Sequence, residues 1–221
     1  MLTPIKQSRS QFSDKPVFRV KFPLENLDFA LGYWKEFAKS AIDKEFEFTS
    51  KNLPKIKELI KYSVGDEDFK GYLEKGIFIY GPTGSGKTLM MNILSQIIDL
   101  DKVFYYRYGQ PRTFQFKTVT ARELCSSYGS KGFEAIDWYA GYNILFIDDV
   151  GTEQERTKFY GTELDVVGYL VEERSRQKRI THYTSNLTPD DLNARYGSRV
   201  ESRIKGECNL LLLNDKDFRV Y

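Results

Sequence analysis

The sequence predicts an α/β fold built on a parallel sheet, and three observations carry that expectation. After residue 76, short apolar segments alternate with stretches of helical period. The first apolar segment runs into the glycine-rich string Gly81-Pro82-Thr83-Gly84-Ser85-Gly86-Lys87-Thr88-Leu89. The third ends on two adjacent carboxylates, Asp148 and Asp149. Alternation of this kind covers a parallel sheet with helices and brings ligands to the carboxyl ends of its strands.

Taken in order, residues 1–50 read as an extension and residues 51–221 as the domain proper. The first 21 residues carry Lys6, Arg9, Lys15, Arg19 and Lys21 against a single acid, Asp14, which describes a basic arm or a solvated tail. Leu27, Leu31, Trp34, Ala38 and Ala41 then recur at helical spacing. That amphipathic helix either packs onto its own domain or docks a partner. A second helix is expected after Asn52, read as its cap, with Leu53, Ile56, Leu59 and Ile60 on one side. Five strands are expected at 77–80, 114–119, 144–147, 180–184 and 210–213. Helices are expected at 87–100 and 162–176, the second carrying the stripe Leu164, Val167, Leu170 and Val171.

Composition narrows the function classes. Thirty-three basic residues against 31 acidic ones leave a net charge of +2, which does not by itself mark a nucleic-acid binder. Cys125, Cys208 and the single histidine, His182, are too few for a four-ligand zinc site or a disulfide framework. No apolar run approaches the roughly 20 residues of a membrane helix. The opening MLTPIKQSRSQFSDK lacks the apolar stretch of a secretory signal, so a cytoplasmic location is expected.

The string from Gly81 to Thr88 matches the phosphate-binding P-loop at every required position. Its glycines let the backbone curl until successive amides point inward at phosphate oxygens, and the helix that follows adds its positive end. Lys87 is expected to neutralise β/γ-phosphate charge, and the Thr88 hydroxyl to ligate magnesium. Asp148 would hold the same magnesium, while Asp149 would polarise a water for attack on the γ-phosphate. Asn186, in Thr184-Ser185-Asn186-Leu187, is carried to the same sheet edge, where its amide could orient that water. The segment Thr188-Pro189-Asp190-Asp191 then reads as a helix cap. Arg195, Arg199 and Arg203 follow, the last two sharing a face if 198–204 is helical.

The strings LEKGIFIYGPTGSGKT, NILFIDDVGTE and TSNLTPDDLNARYGSRVESRI, in this order, resemble the AAA+ ATPases of the bacterial DnaC helicase-loader group and the related IstB transposition ATPases. The likeness covers roughly residues 50 to 221. It implies a five-stranded sheet of order 5-1-4-3-2 with the P-loop after the first strand, and no C-terminal helical lid. It makes Asn186 the first sensor and Arg203 the arginine finger, with Arg199 beside it. Arg219 lies where such proteins carry a second sensor arginine. ATP and Mg2+ are the implied cofactors, with ATP sites at the interfaces of a homo-oligomer. Asp149 departs from the pattern, standing where many AAA+ enzymes have Glu.

The expected function is an ATPase acting on a DNA-replication complex, with a replicative helicase or a transposase as protein partner. An IstB-like transposition helper, a small-molecule P-loop kinase and a nucleotide-dependent interaction module with little hydrolysis stand as alternatives. Arg156, Lys158 and Tyr160, in Gln154-Glu155-Arg156-Thr157-Lys158-Phe159-Tyr160, are candidate single-stranded DNA contacts, because cations track phosphates while rings stack on bases. An ordinary loop with its rings packed onto the domain explains the same residues.

Overall fold

A computed structural model describes residues 27–42, 46–101, 103–107 and 110–214. The basic arm and Arg219 lie outside the described residues. In chain order the elements are α1 (Leu27–Ile42), α2 (Leu53–Val64), β1 (Gly76–Tyr80), α3 (Lys87–Asp101), β2 (Phe104–Arg107), β3 (Gln110–Thr113), β4 (Lys117–Thr120), α4 (Ala121–Lys131), α5 (Phe133–Gly141) and β5 (Ile144–Val150). The chain continues through β6 (Thr157–Phe159), β7 (Thr162–Leu164), α6 (Val166–Arg176), β8 (Ile180–Ser185), α7 (Asp191–Tyr196), α8 (Ser198–Glu207) and β9 (Cys208–Leu212).

The chain divides into two compact units. One comprises residues 1–74 and 92–115 and holds α1, α2 and the antiparallel pair β2–β3. In α1 the expected stripe points inward through Trp34 and Ala38, which are buried, while Ala41 is exposed. Asn52 does not cap α2 with its side chain. Its Oδ1 accepts from the Thr49 amide at 2.8 Å and its Nδ2 donates to the Glu47 carbonyl at 3.1 Å, so the amide folds the approach to the helix instead.

The other unit, residues 75–91 and 116–221, holds the five-stranded sheet in the order β4-β5-β8-β1-β9. Every neighbouring pair in it is parallel. Numbering only the sheet's strands along the chain, this is 5-1-4-3-2 read from the other edge. The interior strand β5 is buried along nearly its whole length, as a strand with helices on both faces must be, and its residues meet Leu124, Val167, Leu170 and Leu192 in one hydrophobic core.

One expected helix starts later than its apolar stripe indicated. Residues 162–164 pair with 157–159 as an antiparallel hairpin, and α6 begins only at Val166. Two local signals outweigh the periodicity. Tyr160 and Gly161 both take positive φ, 43° and 87°, the two-residue turn whose twist suits a hairpin. Asp165 then accepts from the Gly168 amide at 3.1 Å and caps α6.

Candidate nucleotide site

The carboxyl ends of β1, β5 and β8 meet at one edge of the sheet, and the sequence explains how each side chain arrives there. Strand β1 leaves the sheet at Gly81, whose φ is 148°. A Cβ on this residue would lie 1.9 Å from the Leu213 carbonyl oxygen, so only glycine fits between the strand end and its neighbour. The loop turns through Gly84 and Gly86, both at positive φ, and delivers Lys87 and Thr88 as the first residues of α3.

Strand β5 reaches the edge through a bulge. Ile147 pairs with Tyr183 and Val150 with Ser185, so Asp148 and Asp149 together oppose the single residue Thr184. Asp149 absorbs the extra length by adopting φ 56°. For a residue with a Cβ that conformation costs about 1–2 kcal/mol, and its neighbours must hold it there. The Thr184 hydroxyl does so from the opposite strand. It accepts from the Asp149 amide at 2.9 Å and donates to Asp148 Oδ1, so one side chain serves both members of the acid pair.

Two contacts join motifs that lie far apart in the chain. Thr88 Oγ1 donates to Asp148 Oδ1 at 2.8 Å across 60 residues. Lys87 Nζ donates to Asn186 Oδ1 at 2.7 Å across 99 residues, and to the Gly81 and Pro82 carbonyls at 3.0 and 2.9 Å. Burial pushes the Asp148 carboxyl above its ordinary range, and the Asp149 charge adds to this, against hydrogen bonds from Thr184 and Thr88 that pull it down. A carboxylate so placed is short of positive charge. Thr88 and Asp148 would offer a divalent cation the oxygen donors such ions prefer, and the cation would supply that charge. The buried Ser85 hydroxyl has no hydrogen-bond partner, which fits a loop that surrounds phosphate oxygens. The residues present therefore fit a magnesium–nucleotide.

Protein-family models and curated sequences yield no match. Solved structures do. The DnaC helicase loader superimposes with a TM-score of 0.59 at 18% identity, over 81% of this chain and 99% of that one. DnaI gives 0.57 at 18% identity, over 84% and 93%. The fold is that of an AAA+ P-loop domain. AMPPCP-bound DnaA from Aquifex aeolicus shares this AAA+ fold with a TM-score of 0.52 and 18% identity, over 79% of this chain and 50% of the DnaA chain.

Other residues singled out in the sequence lie elsewhere on the AAA+ fold. Arg199 and Arg203 are both on α8, and their partners are on α6. Arg203 Nη1 donates to Ser175 Oγ, which itself donates to Glu207. Arg199, with 75% of its side chain exposed, sits 3.7 Å from Glu172. The Arg203 guanidinium therefore lies against its own chain, and Arg199 is the more exposed of the two. Arg156 and Lys158 flank and occupy β6, where they line a cleft of about 490 Å³ with Cys125, Ser126 and Gln154. Lys158 is paired with Glu163 at 2.9 Å, and Tyr160 at the hairpin tip is 95% exposed. Thr188 and Asp191 bond reciprocally in the turn that leads into α7, each side chain accepting from the other's amide. No helix among the described residues is long and apolar enough to cross a membrane.

Two groups that organise this region, Thr184 and Glu153, carry no signal in the sequence. Thr184 lay in a strand segment with no chemical signature of its own. Glu153 lay between the acid pair and the hairpin, where nothing local distinguishes a buried carboxylate from a solvated one.

Proposed function

We propose that this chain binds ATP with Mg2+ and hydrolyses it, working as an oligomer on a DNA-replication complex. The observation that carries the reading is the convergence of Lys87 and Thr88 with Asn186 and Asp148 at one sheet edge. Residues Gly81 to Leu89, with Pro82, Thr83, Gly84, Ser85 and Gly86 between them, surround the phosphates. Lys87 leaves its loop carbonyls to meet the β/γ-phosphate oxygens. Thr88 and Asp148 hold the magnesium, which supplies Lewis acidity at the transferred phosphoryl group. Asp149 orients and accepts a proton from the attacking water, with Asn186 beside it. Residues 51–221 form the ATPase domain in this reading, and residues 1–50 an extension available to a partner. Arg219 is assigned to the nucleotide as a second sensor. The fold shared with a helicase loader and with DnaA supports the replication assignment, with a replicative helicase or transposase as the protein acted upon.

Lys87→Ala tests the site. It removes charge-assisted bonds of about 1.5–3 kcal/mol each, so affinity for a fluorescent ATP analogue should fall about tenfold or more. Unchanged affinity would sink the assignment. Asp149→Asn in the same assay should retain the analogue while abolishing phosphate release.

Contact with single-stranded DNA is assigned to Arg156, Lys158 and Tyr160 on the β6–β7 hairpin. The fully exposed tip ring and the adjoining cations support it. Affinity should then fall steeply with salt. Because Lys158 already pairs with Glu163, replacing Arg156 and Lys158 together should lower the slope of log affinity against log salt by about one rather than two. An unaltered slope removes the hairpin from the interface.

A further inference from the structure

Glu153 lies four residues after Asp149, and only 1% of its side chain is exposed. A carboxylate withdrawn from water this completely needs compensation, and three donors supply it. The Gly151 amide donates to Oε2 at 2.9 Å, and Arg195 Nη2 donates to Oε1 at 2.8 Å. The Tyr196 hydroxyl donates to the same Oε1. Arg195 also reaches the Glu153 and Gln154 carbonyls and lies 4.5 Å over the Tyr196 ring.

These contacts hold the turn in which Asp149 sits. Thr152 donates to the Asp149 carbonyl from its amide and from its hydroxyl, and Gly151 follows at φ 95°. A Cβ on Gly151 would come within 2.6 Å of Leu187, so the turn is also packed against the segment after β8. The far end of the same carboxylate grips Arg195 and Tyr196 at the close of α7. Only Gly197 separates that helix from α8, which bears Arg199 and Arg203.

We propose that Glu153 is a positioning residue whose carboxylate clamps the 149–152 turn to α7, so that Asp149 and the arginine-bearing α7–α8 segment shift together. A displacement of Asp149 when a nucleotide enters the sheet edge is thereby passed to the arginines through one buried ion pair. Such coupling is carried by a contiguous set of hydrogen bonds rather than inferred from distance. The kinetic consequence rests on the hydrolysis reading, whereas the clamp itself does not.

The test uses the full chain and two variants, Glu153→Gln and Tyr196→Phe. Amide hydrogen exchange is followed over 149–154 and 191–197, with and without a non-hydrolysable ATP analogue and Mg2+. In the wild-type chain the analogue should slow exchange in both segments. In Glu153→Gln, exchange over 149–154 should rise about tenfold, and the analogue's protection should no longer reach 191–197. Analogue affinity should stay within about threefold while turnover drops about tenfold, a split that loss of stability alone would not produce. Wild-type exchange over 149–154 in Glu153→Gln overturns the clamp, and wild-type turnover in a variant with accelerated exchange overturns the positioning role. If Glu153→Gln does not fold, Tyr196→Phe, which deletes one hydroxyl and no charge, must show smaller changes of the same sign, and their absence overturns the clamp. A wild-type chain that binds the analogue but releases no phosphate from ATP overturns the hydrolysis reading alone, and the exchange rates still decide the clamp.

Discussion

Arg203→Ala is expected to bind ATP as the wild-type chain does and to hydrolyse it about 10³- to 10⁵-fold more slowly. Phosphoryl transfer spreads negative charge over the γ-phosphate oxygens, and a single P-loop lysine leaves part of it unmet. A guanidinium delivered from a neighbouring subunit meets that charge in a planar, two-point contact. Within its own chain, Arg203 is bonded to Ser175 on α6, and its Nε is buried without a partner. An arginine satisfied at one end and unsatisfied at the other gives up little on changing partners. Mixing Arg203→Ala with Lys87→Ala should restore some phosphate release, since each variant supplies the half the other lacks. Arg199→Ala, run in parallel, separates the two arginines. Because Arg199 is largely exposed beside Glu172, it becomes the finger if its variant alone is inactive and rescued by mixing. A dead mixture together with wild-type turnover of both single arginine variants rules out a shared site.

The second large effect is on stability. Arg174 is fully buried in α6 and directs its guanidinium at one hydroxyl and four backbone carbonyls. Nε donates to Thr181 Oγ1 at 2.8 Å and Nη2 to the Ile180 carbonyl at 2.7 Å. Nη1 donates to the carbonyls of Tyr139, Ala140 and Tyr142, at 3.0, 3.2 and 2.8 Å, around the end of α5. The last carbonyls of a helix have no intrahelical donor, and here a charged side chain supplies one. Arg174→Ala removes these donors and opens a cavity in the same step. The expected cost is about 3–5 kcal/mol. For a domain of this size that lowers the thermal midpoint by about 6–20 °C, which calorimetry or circular dichroism can measure. A shift under about 2 °C would mean that water enters and replaces the guanidinium.

Arg174 also illustrates what a linear reading misses. In the sequence it stands in Glu-Glu-Arg-Ser-Arg, a run that reads as a solvated helix face. Its neighbour Arg176 is indeed 72% exposed and pairs with Glu173. What separates two arginines two residues apart is which side of α6 turns toward β8 and α5, and only packing decides that. The start of α6 follows the same logic. The period of Leu164, Val167, Leu170 and Val171 is helical, yet the hairpin pairing and the Asp165 cap claim the residues before 166. Asn52 shows a local choice settled by local geometry, since its amide found partners at Glu47 and Thr49 instead of in the helix it precedes.

By itself the sequence determined the layered α/β architecture, because burial on both strand faces leaves continuous apolar runs and burial on one helix face leaves a 3.6-residue period. It also located the P-loop and the acid pair, since phosphate and cation chemistry demands particular residues at particular spacings, and those spacings are local. Tertiary structure alone decided the rest. The bulge that sets Asp148 and Asp149 against Thr184, the bond between Lys87 and Asn186, and the burial of Glu153 and Arg174 all join segments from different strands or helices. A charged residue carries the same chemistry whether water or a carbonyl satisfies it, and which of the two it meets depends on how the sheet and helices close around it.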